Sequence, residues 1–141
     1  MPIPPTTCVA CGGGGSMLID TDVLIWVLRG NLKAAKRVDA VEDRAVSIVS
    51  YMELLQGARD KAEVRTIKRY LADLAFTVIP LSENIGHRAS IYMEQHAVAS
   101  SLSMADALIA AAATESNHAL LTGNDKHFKP VTELEVKRFR P

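Results

Sequence analysis

The sequence predicts an α/β domain with a mainly parallel sheet, and two observations favour this class. From Met17 onward, short apolar runs alternate with longer segments of helical periodicity, the pattern of strands joined by crossover helices. Acidic residues stand repeatedly where an apolar run ends or a helix begins. In a parallel sheet such positions lie along one edge, where ligands bind.

The predicted strands are short apolar runs, most of them containing β-branched residues. They cover residues 17–20, 45–49, 76–79 and 118–122, with a short edge strand at 134–136. Between them, apolar residues at helical spacing predict helices at 23–28, 32–42, 51–56, 61–74, 83–97 and 104–116. Asp22, Ser50 and Ser103 are the expected N-caps of the helices that follow them. Gly30 ends the first helix, and Pro80 ends the third strand.

Length and composition fit a single globular domain. The chain has 141 residues, of which 48% are hydrophobic and 23% charged. Lys plus Arg equals Asp plus Glu at 16 each, so any basic surface for a nucleic acid would have to be local. No apolar stretch approaches the roughly 20 residues of a membrane span. Since no secretory signal is recognisable either, we expect a cytoplasmic protein.

Residues 1–16 form a separate segment. It is rich in proline, contains the pair Cys8 and Cys11, and ends in the sequence GGGGS. A Gly/Ser unit of this kind behaves as a flexible linker, so we interpret residues 1–16 as an engineered or disordered leader and residues 17–141 as the domain. The two cysteines are too few for a structural zinc site, which needs four ligands.

Five acidic residues lie at the predicted strand ends and helix starts: Asp20, Asp22, Glu53, Asp106 and Asp125. Most have an ordinary structural explanation. Glu53 and Asp106 each follow a serine by three positions, the spacing of a capping box, in which the acid accepts from the backbone N–H of the cap. Asp22 is a candidate N-cap. A cap contributes about 1 kcal/mol, so a single acid predicts no more than a helix start.

Taken together, the acids predict a cation site. Two unit charges about 4 Å apart repel by ~4 kcal/mol at an effective dielectric constant of 20, which exceeds the contribution of a cap. A divalent cation would remove that repulsion. Mg²⁺ typically binds one or two carboxylates together with waters and phosphate oxygens. Such a site suits the hydrolysis of phosphodiesters, provided that the carboxylates converge.

Four stretches of the chain resemble the motifs of PIN domains, and more narrowly those of the VapC toxins of bacterial and archaeal toxin–antitoxin pairs. They are MLIDTDVLIWVLRG, SIVSYMELLQGA, SMADALIAAAA and LLTGNDKHF, in this order along residues 17–141. The resemblance implies a Mg²⁺- or Mn²⁺-dependent endoribonuclease. It also implies a PIN-like α/β/α sandwich with a central, mainly parallel sheet of four to five strands.

By position, Asp20, Glu53 and Asp106 match the three principal acids of the family. The resemblance implies that they hold the metal ion and, through it, orient the hydrolytic water. Asp22 occupies a place that is often Asn in the family, so it is expected to support the site or to cap the helix.

The fourth position of the family motif is Asp in some members and Asn in others. Here it falls on Asn124, within the sequence Thr122-Gly123-Asn124, and Asp125 follows directly. Two options are open. Asn124 contacts a metal-bound water while Asp125 points away, or Asp125 supplies the missing charge. The number of metal ions, one or two, depends on the answer.

The resemblance also implies partners. The RNA substrate would be a structured RNA such as tRNA or ribosomal RNA, and a VapB-type antitoxin would place its C-terminal segment across the acidic site. A homodimer is expected, with no membrane association. Lys126 and Lys129 are candidates for phosphate contacts near this edge, whereas His127 is interpreted as a surface histidine.

Two alternatives to this function come from other classes. A strand that ends in Asp20-Thr21-Asp22 also resembles the first motif of haloacid-dehalogenase-like phosphatases, in which the first Asp is the nucleophile. That class needs a later Lys and a paired-acid motif, and neither has a convincing counterpart here. The other alternative is a PIN-fold binding module with a weak site, which only Asn124 supports.

Overall fold

The structure of the protein is a computed structural model that describes residues 15–141. The predicted leader, including Cys8 and Cys11, therefore lies almost entirely outside the described residues. The first strand begins at Ser16, one residue before the predicted start of the domain. Within residues 15–141, no helix is long and apolar enough to cross a membrane.

Strands and helices alternate along the chain, as predicted. Their order is β1 (Ser16–Ile19), α1 (Thr21–Leu28), α2 (Leu32–Asp39), β2 (Asp43–Ser47), α3 (Ile48–Gln56), α4 (Lys61–Asp73), β3 (Thr77–Ile79), α5 (Glu83–His96), α6 (Met104–Glu115), β4 (Ala119–Thr122), α7 (Asp125–Phe128) and β5 (Val136–Arg138). The five strands form one sheet in the order β3-β2-β1-β4-β5, and every pair is parallel. The predicted α/β class and parallel sheet are confirmed.

The central strand β1 organises the sheet. Leu18 lies opposite Ala45 of β2 on one side and opposite Leu120 of β4 on the other. All three side chains are buried, because helices cover both faces of a parallel sheet and its inner strands become continuous apolar runs. Parallel pairing brings the carboxyl ends of β1, β2 and β4 to the same edge.

Two core layers flank the sheet, which makes the fold an α/β/α sandwich. Along β1, Leu18 faces one layer and Ile19 the other, as the alternation of a strand requires. The first layer packs α5 and α6 through buried residues that include Ile85, Tyr92, Ile109 and Ala110. The second packs α1, α2 and α4 through residues that include Leu24, Val38, Ile67 and Leu71.

The start of α3 differs from the prediction. The helix begins at Ile48, and its N-cap is Ser47, whose hydroxyl accepts from the N–H of Val49 at 3.0 Å. Ser50 lies inside the helix and is buried, so the predicted capping box between Ser50 and Glu53 is wrong. The β-branched run predicted a longer strand, but the sheet ends at Ser47 and tertiary packing overrides local propensity.

The start of α1 also differs. Its N-cap is Asp20, which accepts from the N–H of Thr21, so the prediction of Asp22 as the cap is wrong. Asp22 is the second residue of the helix, and its side chain is free to bond elsewhere. The remaining predicted boundaries coincide with those of the structure or lie within three residues of them, and α7 was not predicted. The largest shifts are at α2, which ends at Asp39, and at β5, which begins at Val136.

Candidate metal centre

Asp20 lies directly after β1 and is only 5% exposed. Its Oδ1 accepts from the backbone N–H of Thr21 at 2.8 Å. Its Oδ2 accepts from the hydroxyl of Thr122, at the end of β4, at 2.7 Å. Both carboxylate oxygens are therefore held by donors from two neighbouring strand ends, which fixes the orientation of the group.

The electrostatic surroundings of Asp20 disfavour its negative charge. Burial is the largest cause that raises its pKa to about 7; the charges of Asp22 and Asp106 act in the same direction, and the hydrogen bonds from Thr122 and Thr21 oppose the rise. The convergence of Asp20, Glu53 and Asp106 on one metal ion stays a prediction.

Asp22 reaches across the edge from the first turn of α1 to the loop after β4. Its Oδ2 accepts from the backbone N–H of Gly123 at 2.9 Å. Its Oδ1 is fully buried and has no hydrogen-bond partner in the part of the chain that the structure describes. Burial raises the pKa of Asp22, and the N–H groups of Gly123 and Val23 oppose the rise.

Gly123 is required by this contact. A Cβ atom at this position would lie 2.6 Å from Oδ2 of Asp22, closer than real Cβ contacts allow. Any other residue at 123 would therefore displace the Asp22 carboxylate.

Glu53 is exposed on α3 and is held at this edge by Thr21, whose Oγ1 lies 2.6 Å from Oε1 of Glu53 and 2.8 Å from Oγ of Ser50. The Thr21 hydroxyl has one proton. When it donates to Glu53, it can accept from Ser50. Sequence analysis did not identify Thr21 or Ser50 as positioning residues. The available signal was the three-residue spacing of Ser50 and Glu53, which puts them on the same face of a helix.

Asp106 is the third residue of α6 and forms the predicted capping box with Ser103, which is confirmed. Ser103 Oγ accepts from the N–H of Asp106, and Asp106 Oδ2 accepts from the N–H of Ser103, both at 3.1 Å. Nδ1 of His127 lies 3.4 Å from the same Oδ2, and the His127 side chain is 44% exposed. His127 is thus partly exposed, as expected, but it also contacts one of the principal acids.

The polar residues of the fourth motif, Asn124 and Asp125, have different bonding partners. Asn124 is exposed, and its backbone N–H donates to the hydroxyl of Thr122 at 3.0 Å. Asp125 Oδ1 lies 3.5 Å from Nη2 of Arg140. The guanidinium of Arg140 also donates to the carbonyl of Gly123 at 3.1 Å.

Comparison with known families identifies the kind of domain to which this edge of the sheet belongs. A family model of the PIN domain matches residues 17–134. The chain belongs to the PIN domain family. A comparison with curated proteins finds no match.

Several solved structures share the fold of this PIN domain. A toxin–antitoxin complex from Klebsiella pneumoniae has a chain with 27% identity and a TM-score of 0.73, over 84% of this chain and 95% of that one. VapBC-1 from nontypeable Haemophilus influenzae has 21% identity and a TM-score of 0.73, over 86% and 96%. VapBC2 from Rickettsia felis, bound to a DNA fragment from its promoter, has 18% identity and a TM-score of 0.73, over 88% and 98%.

The side chains at this edge of the PIN domain fit a bound divalent cation. Among the described residues, no three Asp, Glu, His or Cys side chains are close enough together to hold one ion directly. Mg²⁺ needs fewer, because it keeps several waters and binds one or two carboxylates. A cation at this edge would offset the burial that raises the pKa of Asp20 and would satisfy the buried Oδ1 of Asp22.

Proposed function

We propose that this PIN domain is a Mg²⁺- or Mn²⁺-dependent endoribonuclease and the toxin of a toxin–antitoxin pair. The observation that carries the proposal is the buried Asp20 carboxylate at the carboxyl edge of a parallel sheet, where Thr122 of β4 holds it. Asp22 bonds to Gly123 in the loop after β4, and Asp106 contacts His127 of α7, which follows that loop. Glu53 is held at the same edge through Thr21. Membership of the PIN family and the 27% identity to a toxin–antitoxin complex support it.

Each side chain has a defined part in this proposal. Asp20, Glu53 and Asp106 would hold the metal ion, which when bound supplies an activated water and stabilises the leaving oxygen. Thr122 and the N–H of Thr21 keep the Asp20 carboxylate in one orientation. The Thr21 hydroxyl does the same for Glu53.

The proposed substrate is RNA, with tRNA or ribosomal RNA as the class that the family resemblance favours. Cationic side chains lie around the end of β4, on α7 and at the C-terminus: Lys126, Lys129, Arg138 and Arg140. All four are exposed. Because the chain has no net charge, this local group is the natural place for contacts with RNA phosphates.

We further propose a VapB-type antitoxin as the partner, in a homodimer in the cytoplasm. A groove of about 760 Å³ adjoins Glu53. Its lining combines apolar residues, among them Leu28 and Ile67, with Arg29 and Arg59. A peptide segment of the antitoxin that binds in this groove would reach Glu53 and compete with RNA for the metal centre.

The decisive experiment is cleavage of a structured RNA by the purified protein. We expect cleavage in Mg²⁺ or Mn²⁺, none in EDTA, and recovery when Mn²⁺ is restored. Asp106→Asn should reduce the rate on the order of 100- to 1000-fold, because a catalytic metal ion contributes several kcal/mol and each 1.4 kcal/mol is tenfold. Cleavage in EDTA at the wild-type rate, or an unimpaired Asp106→Asn variant, would refute the proposal.

The same preparation separates the alternatives. A phosphatase would form a phosphoenzyme at Asp20, which a phosphate-trapping assay detects. A binding module would retain RNA binding and cleave nothing in either metal. The phosphatase is already disfavoured by the family match.

A further inference from the structure

We propose that Asp22, rather than Asn124 or Asp125, supplies the fourth carboxylate of the metal centre and contacts the ion through its Oδ1. The supporting observation is that the N–H of Gly123 holds the Asp22 carboxylate two residues after Asp20. The inference rests on the proposed function to the extent that it requires a divalent cation at this edge.

Asn124 has the wrong chemistry and surroundings for this role. Its amide has no charge, and its side chain makes no capping hydrogen bond to α7. Its backbone N–H is used to support the hydroxyl of Thr122, which in turn holds Asp20. Asn124 therefore contributes to the centre through its backbone.

Asp125 has a charge, but that charge is already balanced. Its Oδ1 pairs with Arg140, and the same guanidinium is tied to the carbonyl of Gly123. A carboxylate with an arginine partner has less to gain from a cation than one without.

The two carboxylate oxygens of Asp22 have different surroundings. The N–H of Gly123 holds Oδ2 and so fixes the plane of the carboxylate. Oδ1 is buried and, among the described residues, has no donor. A buried acceptor without a donor is unfavourable unless something else satisfies it. A cation shared with Asp20 would do so, because Mg²⁺ takes carboxylate oxygens as ligands.

Position 123 supports the same assignment. The bond from Gly123 to Asp22 requires a residue without a Cβ, since a Cβ would lie 2.6 Å from Oδ2. This gives a way to displace Asp22 without removing any charge.

The test is Mn²⁺ binding by isothermal titration calorimetry, without RNA, using Asp20→Asn as the reference for loss of a ligand. Asp22→Asn keeps a carbonyl oxygen for Gly123 and should raise the Kd for Mn²⁺ at least about tenfold. Asp125→Asn removes the same charge nearby and should change the Kd less than about twofold. Gly123→Ala keeps every charge but moves Asp22, and should raise the Kd several-fold.

The outcomes separate the inference from the proposed function. If the wild type binds no Mn²⁺, the proposed function fails and the inference fails with it. If Asp20→Asn weakens binding while Asp22→Asn does no more than Asp125→Asn, only the inference is overturned. If Asp22→Asn weakens binding but Gly123→Ala does not, Asp22 acts as a remote charge and the inference is also overturned. Thermal unfolding in EDTA tests whether each variant is folded. If Asp22→Asn does not fold, the Kd of Gly123→Ala for Mn²⁺ decides the inference.

Discussion

Two clusters of acidic side chains in this PIN domain differ in how their charges are balanced. In the first, which we call the balanced cluster, Glu115 and Glu133 both form ion pairs with Arg88. Glu133 also accepts a hydrogen bond from the hydroxyl of Tyr92. The hydrogen bond from Tyr92, and then the contact with Arg88, lower the pKa of Glu133.

The second cluster is the acidic edge of Asp20, Asp22 and Asp106. Within residues 15–141, no Lys or Arg forms an ion pair with any of these three, and only His127 lies close to Asp106. Here burial raises the pKa of Asp20 and of Asp22. The comparison distinguishes a structural cluster, which is complete in itself, from one that lacks a positive partner. Strongly perturbed carboxylates of the second kind are typical of functional sites.

The largest effect on stability is expected for Asp20→Asn, measured on the metal-free protein. Its pKa is 3.8 in the unfolded reference and about 7 in the folded protein. The free energy of unfolding contributed by this group therefore falls as the pH rises from about 4 through 7. A shift of about three units corresponds to on the order of 4 kcal/mol. In EDTA at about pH 8, Asp20→Asn should be more stable than the wild type by up to this amount, and the difference should vanish near pH 4.

Urea unfolding at the two pH values measures this effect, and Glu133→Gln is the matched control from the balanced cluster. Since the pKa of Glu133 is lowered by its partners, neutralising it should give no gain in stability at pH 8. If Asp20→Asn were less stable than the wild type at pH 8 in EDTA, the acidic edge would not be the unbalanced cluster described above.

A smaller effect is expected from Thr21→Val, which removes the hydroxyl that holds Glu53 and keeps the shape of the side chain. Loss of a group that orients a metal ligand commonly reduces activity 10- to 100-fold, so we expect a kcat for RNA cleavage about tenfold lower with little change in KM. Thr114→Val is the control, because Thr114 bonds within the balanced cluster. Equal kcat values for the two variants would show that the Thr21 hydroxyl does not orient Glu53 for catalysis.

The smallest effect is expected from Arg88→Met, which breaks the balanced cluster. Because the ion pairs of Arg88 are partly exposed, the free energy of unfolding should fall by only about 1 kcal/mol. RNA cleavage below the unfolding temperature should stay at the wild-type rate. A large loss of cleavage with intact folding would mean that this cluster also serves the reaction.

Much of the fold follows from local patterns in the sequence. Short apolar runs separated by amphipathic segments predict the parallel sheet, and the carboxyl end of β1 places Asp20 at its edge. The capping box of Ser103 and Asp106 was predictable, because all its bonds span three residues. The cap of α3 was not. The run of Val46 to Val49 has strand propensity, and only packing of the whole domain ends β2 at Ser47.

The finer arrangement of the site depends on contacts between distant residues. Asp22 and Gly123 are 101 positions apart, and so no spacing rule connects them. The pairing of Arg140 with Asp125 likewise requires the C-terminal residues to return to the loop after β4. These contacts decide which carboxylates are balanced, and they exist only once the sheet has formed.

The most direct test of the central claim compares one residue from each cluster in a single assay. RNA cleavage in Mg²⁺ is measured for the wild type, Asp20→Asn and Glu115→Gln, all at a temperature where each is folded. We predict that Asp20→Asn loses on the order of 100- to 1000-fold in rate and that Glu115→Gln stays within about twofold. Cleavage by Asp20→Asn at the wild-type rate, or equal losses in both variants, would contradict the account.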